Sequence, residues 1–214
     1  MLGDRSDWAR THMRSRSLSA RQGFFLPSSQ CDASVTENFT RVLLTREDIK
    51  RVMTRISREI LEQNRAADDL VIVGLQTRGV HIARRLADNI ESFEGAAPVV
   101  GVLDPRLWRD DPDVASVQPL LPSDIPTEVT DRPVVIVDDV LYTGRTVRAA
   151  MEALLEFGRA SRIQLAVLVD RGHRELPIRP DFIGKNVPTA RGERVQVRLT
   201  EIDGEDAVLL GREN

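Results

Sequence analysis

From Arg41 onward the chain alternates short apolar runs with longer stretches of helical period. Thr45 followed by Asp48 reads as a helix start with Thr45 as N-cap. Ile49, Val52, Met53, Ile56, Ile60 and Leu61 then recur on one helical face. The run Leu70–Gly74 predicts a buried strand, Val80–Ile90 a helix with Ile82, Ala83, Leu86 and Ile90 on one side, and Val99–Leu103 a second strand. Residues 104–132 are polar, rich in Asp and Pro, and long for a loop in a compact domain; such loops often carry function. Val134–Val137 predicts a third strand, Thr146–Phe157 a helix stopped by Gly158, and Ile163–Val169 a further strand. Val195–Leu199 and Ala207–Leu210 are short strand candidates in the remainder. Strand alternating with helix predicts an α/β domain with a parallel sheet.

Residues 1–38 break this pattern. Arg5, Arg10, Arg14, Arg16 and Arg21 stand among Ser, Thr and Gln with no sustained apolar period, so this segment reads as a disordered tail, order begins near Arg41, and the domain spans 39–214. An RNA-contacting basic arm, a targeting peptide (against which Asp4 and Asp7 argue) and a misplaced start codon are the other readings.

Composition narrows the classes. The chain has 214 residues, 41% of them hydrophobic, which suits one domain with a sizeable core. A formal net charge of −3 excludes a global basic field, though not a local basic face. Cys31 is the single cysteine, so no disulfide framework or cysteine-based zinc site forms within one chain. No apolar run reaches 18 residues and the N-terminus lacks an apolar signal core, so no membrane span and a cytoplasmic location are expected.

The strongest chemical signal is Val134-Val135-Ile136-Val137-Asp138-Asp139-Val140-Leu141-Tyr142-Thr143-Gly144-Arg145-Thr146. An apolar strand ends in two acids, and a short loop then opens a helix. Backbone N–H groups, threonine hydroxyls and the positive end of a helix dipole suit a phosphate dianion. Acids at the carboxyl end of a parallel strand lie where open α/β sheets bind ligands. They can accept hydrogen bonds from sugar hydroxyls and help hold Mg²⁺, directly or through water. A second loop, Gly74-Leu75-Gln76-Thr77-Arg78-Gly79, has the same place between strand and helix.

The thirteen-residue segment resembles the signature with which type I phosphoribosyltransferases bind 5-phosphoribosyl-1-pyrophosphate (PRPP). The resemblance implies their fold: a central, mainly parallel sheet flanked by helices, with a small hood formed partly by the C-terminal segment. It implies that Asp138 and Asp139 hold the ribose, that Thr143, Gly144, Arg145 and Thr146 surround the 5-phosphate, that Val140, Leu141 and Tyr142 also contact PRPP or UMP, and that Thr77 and Arg78 hold pyrophosphate. Three further segments, Leu107–Asp111, Val169–Arg179 and Pro180–Thr189, resemble the PyrR family of pyrimidine regulators with uracil phosphoribosyltransferase activity, over about residues 41–210. Trp108 stands where those proteins usually carry Tyr or Phe, and Asp104-Pro105-Arg106 replaces a more common Asp-Ile-Thr.

That resemblance implies conversion of uracil and PRPP to UMP and pyrophosphate with Mg²⁺. Arg109 on the long loop would close over the site, and Arg171, Phe182, Ile183 and Val195 are implied contacts for the base or UMP. His173, Arg174, Arg179 and Lys185 would contribute to a face that binds the mRNA leader of pyrimidine genes. A homo-dimer or homo-tetramer is implied too. An enzyme without RNA binding that uses uracil or another base, and a nucleotide-sensing regulator without turnover, are the competing readings.

Overall fold

The computed structural model describes residues 39–64, 67–110 and 119–212. The expectations for residues 1–38 lie outside the described residues. Strands and helices alternate as far as β3, and the chain order is β1 (Phe39–Leu44), α1 (Arg46–Asn64), β2 (Val71–Leu75), α2 (Arg78–Glu94), β3 (Val99–Leu103), β4 (Pro133–Leu141), α3 (Arg145–Leu154), β5 (Arg162–Asp170), β6 (Phe182–Asn186), β7 (Glu193–Arg198), α4 (Thr200–Asp203) and β8 (Ala207–Arg212).

Five strands form one sheet in the order β3-β2-β4-β5-β6, with every pairing parallel. Period-two alternation divides its side chains between two cores. Ile72, Val135, Val137, Ala166 and Leu168 face α1 and α2. Val71, Val73, Val134, Ile136, Leu165 and Val167 face α3 and the loop residues Ile125 and Val129. With helices on both faces, strands must be apolar throughout, which is why these runs stand out in the sequence. The three remaining strands form a separate antiparallel sheet, β1-β8-β7, that joins the start of the domain to its C-terminus and bears α4.

Thr45 and Asp48 open α1 as expected. The Thr45 N–H donates to the Asp48 carboxylate at 3.0 Å, and the Asp48 N–H donates to the Thr45 hydroxyl at 3.3 Å. Donation from the Thr45 backbone and hydroxyl, and from Arg51, pulls the Asp48 carboxyl down to about 2.

Other boundaries differ from the sequence reading. β1 begins at Phe39, ahead of the expected onset near Arg41. β6 has no counterpart in that reading: it is an edge strand carrying Gly184 and the exposed Lys185 and Asn186, so it lacks the apolar run of its neighbours. Helix α3 ends at Leu154, and Leu155–Phe157 tighten into a 3-10 turn before Gly158. β4 runs to Leu141 rather than stopping at Val137, because Asp138, Val140 and Leu141 stay paired with Val167, Val169 and Asp170 of β5.

Among the described residues no helix is long and apolar enough to cross a membrane.

Candidate active site

The chain proceeds from β2 outward to β3 and returns to β4 on the other side, so the strand order reverses between β2 and β4. Ligands of open α/β sheets bind at the carboxyl ends of strands where this reversal leaves a crevice. Here β2 last pairs with β4 at Gly74 and Val137, and β4 continues beyond it, carrying Asp138 and Asp139 into the opening. Gln76 and Thr77, joined by a cis peptide, connect β2 to α2. A Cβ on Gly79 would stand 2.4 Å from the Val137 carbonyl oxygen. Glycine therefore lets the start of α2 sit directly against β4, beside the first acid.

Asp138 is 9% exposed and Asp139 half-buried. Each accepts a bond from the backbone that follows it: Asp139 N–H to Asp138 at 2.9 Å, and Val140 N–H to Asp139 at 2.8 Å. Burial pushes the Asp138 carboxyl well up, and the neighbouring Asp139 charge adds to this, while Arg109 opposes it. Burial also pushes Asp139 up, against the Val140 N–H and the Arg78 charge. Two buried acids with so few donors are matched to a ligand that brings hydroxyl hydrogens or a cation.

The phosphate loop shortens to Tyr142–Gly144. Gly144 adopts φ +94° as N-cap of α3, a conformation strained for any side chain, and its Cβ position is otherwise no closer than 3.4 Å to Ile178. The requirement for glycine is thus one of backbone angle. The first turn of α3 leaves N–H groups without helical acceptors, that of Arg145 donating to the Thr143 hydroxyl at 3.3 Å, and the turn borders a recess of about 100 Å³. Asp138, residues 140–144, Thr146, Val147 and Arg109 line it.

Arg109 lies across this recess and donates to the Thr146 hydroxyl. A 3-10 turn, Pro105–Trp108, carries it there; Asp104 caps the turn and Arg148 of α3 donates to the Trp108 carbonyl at 2.8 Å. Arg145 turns away from the recess, to Asp110 at 2.9 Å and Glu175 at 2.7 Å. What it can offer a phosphate is its backbone. Arg78 reaches Asp203 of α4 at 3.0 Å.

The base-side candidates separate. Phe182, at 1% exposure, and Val195 belong to the core beneath α1, where their side chains pack the interior. Ile183 is half-buried and its carbonyl accepts from Arg55 at 2.8 Å. Arg171 is buried with its guanidinium 4.1 Å from the centre of the Tyr142 ring, next to the phosphate loop.

Of the four basic candidates, Arg174 is a fastener. It pairs with Asp170 at 2.6 Å and donates to the carbonyls of Ile178 at 3.0 Å and Tyr142 at 2.7 Å, tying the turn after β5 to the phosphate loop. His173 binds the Thr189 carbonyl at 2.6 Å, and Lys185 the Leu43 carbonyl at 2.8 Å. Arg179 is exposed. Sequence reasoning missed Arg55, which sits beside Lys185 through bonds to Ile183 and Gly184. It also missed Asp110, Asp170 and Asp203 as acids that aim the site's arginines; Asp170 lies four residues from Arg174, and packing brings the other two to their partners.

Residues 42–201 match the family model of the phosphoribosyl transferase domain, which sets the class of the fold and its site. The hypoxanthine phosphoribosyltransferase of Trypanosoma cruzi superposes with a TM-score of 0.63 at 17% identity, over 82% of this chain and 98% of that one. A hypoxanthine phosphoribosyltransferase of Staphylococcus aureus gives 0.60 at 20% identity, over 82% and 93%. At these identities the likeness establishes the fold alone. Two bacterial relatives narrow the class: the bifunctional protein PyrR of Bacillus velezensis is 52% identical over 176 residues, covering 81% of this chain and 97% of the relative, and that of Latilactobacillus sakei is 55% identical over 169 residues, covering 78% and 94%. The chain belongs to the PyrR family.

The acid pair makes a prediction about the free protein. A carboxyl raised on folding binds its proton more tightly in the native state, so stability is greatest below the unfolded value of about 4 and falls as pH rises through the folded value. Asp138→Asn keeps the acceptor for the Asp139 N–H and removes that loss. Its melting temperature should exceed that of the unaltered protein at pH 8 by more than at pH 4. An equal difference at both pH values, measured by calorimetry without ligand, contradicts the assigned strain.

Proposed function

We propose that the protein transfers the phosphoribosyl group of PRPP to uracil, giving UMP and pyrophosphate, and that it is a UMP-responsive regulator binding the leader mRNA of pyrimidine genes. The observation that carries the enzymatic half is the buried acid pair standing beside a helix-start phosphate cradle at the reversal of strand order. Asp138 and Asp139 accept the ribose hydroxyls. The Thr143 and Thr146 hydroxyls and the N–H groups of the α3 start hold the 5-phosphate. Thr77 and Arg78 hold the pyrophosphate. Uracil N1 bonds to C1 as the bond from C1 to pyrophosphate oxygen breaks, and the N1 proton is lost.

Positive charge grows on the ribose in the transition state, next to the two acids, while negative charge grows on the leaving group, next to Arg78. Arg109 must leave the cradle when the 5-phosphate arrives, and is then free to cover the site and exclude water. Among the described residues no group of three His, Cys, Asp or Glu side chains is placed to hold a metal. The two acids fit a Mg²⁺ that arrives on PRPP and keeps several waters, as this ion usually does. Bound there it would neutralise charge on the departing pyrophosphate.

For the regulatory half, Arg179 and Lys185 supply charge, and Arg55, bonded to the Gly184 carbonyl, adds a further cation next to β6. Arg174 supports this surface and the phosphate loop together. A cytoplasmic homo-dimer or homo-tetramer in which residues 1–38 serve neither activity completes the reading.

Purified protein should form UMP from uracil and PRPP with Mg²⁺, and far less nucleotide from hypoxanthine. Asp139→Asn should lower kcat/KM by about 30- to 1,000-fold, a loss of about 2–4 kcal/mol of transition-state stabilisation, on the scale of removing one charge-assisted hydrogen bond. Full turnover by the folded Asp138→Asn/Asp139→Asn variant sinks the enzymatic assignment.

RNA binding has its own test. Arg179→Glu with Lys185→Gln should weaken binding to the leader transcript by orders of magnitude and lower the salt slope by roughly one for each phosphate no longer engaged. UMP formation should stay near that of the unaltered protein. Filter binding at two salt concentrations, with and without UMP, reads both effects; unaltered protein that prefers the leader no more than an unrelated RNA of equal length contradicts the regulatory half.

A further inference from the structure

Arg78 and Arg85 lie two turns apart on α2 and both reach the α4 hairpin, but they use it differently. Arg85 is fully engaged: it donates to Glu201 at 2.8 and 2.6 Å and to Asp206 at 3.0 and 2.8 Å. Asp206 in turn takes the Thr200 N–H at 2.8 Å, so this cluster fixes α4 to α2 by itself. Arg78 gives only Nη2 to Asp203, at 3.0 Å and 3.3 Å from its two carboxylate oxygens. Its Nε is buried and has no partner among the described residues. Three of the five guanidinium hydrogens, those on Nε and Nη1, therefore stay clear of Asp203.

Asp203 is itself held still, accepting the Leu199 N–H at 2.9 Å. The Arg78 charge also favours the ionised form of Asp139. The guanidinium is thus attracted by two acids, Asp203 of α4 and Asp139 in the ribose site.

We propose that Asp203 is a positioning residue for the pyrophosphate end of PRPP: it holds Arg78 by Nη2 and leaves Nη1 for the leaving group. This rests on the reading of Arg78 as a pyrophosphate ligand. A carboxylate that occupied both edges of the fork would block that ligand; one that grips a single nitrogen aims it. Without Asp203 the arginine is drawn to Asp139 and must be pulled back each time PRPP binds. The antiparallel sheet that bears α4 then has a task in catalysis, through a residue that touches no substrate.

The test uses the full chain. Asp203→Asn keeps an acceptor for the Leu199 N–H and, with Arg85 untouched, leaves α4 in place. It should raise KM for PRPP roughly three- to thirtyfold, the cost of a misplaced binding group. The dissociation constant of inorganic pyrophosphate should rise in parallel. The affinity for UMP, which has no pyrophosphate, should not move, and kcat should change much less than KM. Asp203→Glu should recover part of the loss, and in an Arg78→Ala background Asp203→Asn should add nothing.

Three outcomes overturn the proposal: an unchanged KM for PRPP in Asp203→Asn, an equal fall in UMP affinity, or a full additional effect in the Arg78→Ala background. If Arg78→Ala alone leaves PRPP and pyrophosphate binding intact, the underlying reading of Arg78 fails, and the role of Asp203 with it.

Discussion

Two adjacent carboxyl groups buried at the end of a strand are unfavourable, because each loses water and repels the other. Asp138 and Asp139 are held in that state because β4 stays paired with β5 beyond the point where β2 stops, and because α2 closes over the gap where Gly79 has no side chain. The cost is offset only in part by the protein's own donors, a backbone N–H for each acid and the more distant charges of Arg109 and Arg78. The rest of the site follows from this. Its cations are placed around the pair, and its phosphate cradle is set one loop away, so that a ribose anchored by its phosphate carries its hydroxyls to the acids.

The surrounding arginines show a second regularity. Three of them are fixed by acids: Arg145 by Asp110 and Glu175 and Arg78 by Asp203, which come from distant parts of the chain, and Arg174 by Asp170, four residues before it. Exposed pairs of this kind add little to stability. Their use here is directional, since a long side chain with one end fixed offers its remaining donors along a narrow range of directions. The same device joins the two halves of the proposed function physically, because the turn that bears Arg179 is fastened to the phosphate loop through Arg174 and the Tyr142 carbonyl.

What the sequence revealed follows from locality. The buried strands β2, β4 and β5 are legible as apolar runs because both faces of the sheet are covered. The acid pair, the phosphate loop and the start of α3 are contiguous, so their chemistry can be read in order. β6 is not legible, since an edge strand with Gly184, Lys185 and Asn186 has the composition of a loop. Nor is the burial of Phe182 and Val195, which depends on α1 packing over their side. The direction of Arg145 and the fastening role of Arg174 are tertiary facts as well: charge is visible in a sequence, but the partner that aims it is not.

If one ligand joins the acids to the cradle, a crystal structure of the protein with UMP will show both ribose hydroxyls within hydrogen-bond distance of Asp138 and Asp139, the phosphate on the N–H groups and hydroxyls of residues 143–146, and Arg109 moved off Thr146. A nucleotide bound with its phosphate on Arg145, Arg148 or Arg174 and its ribose away from the two acids would contradict it.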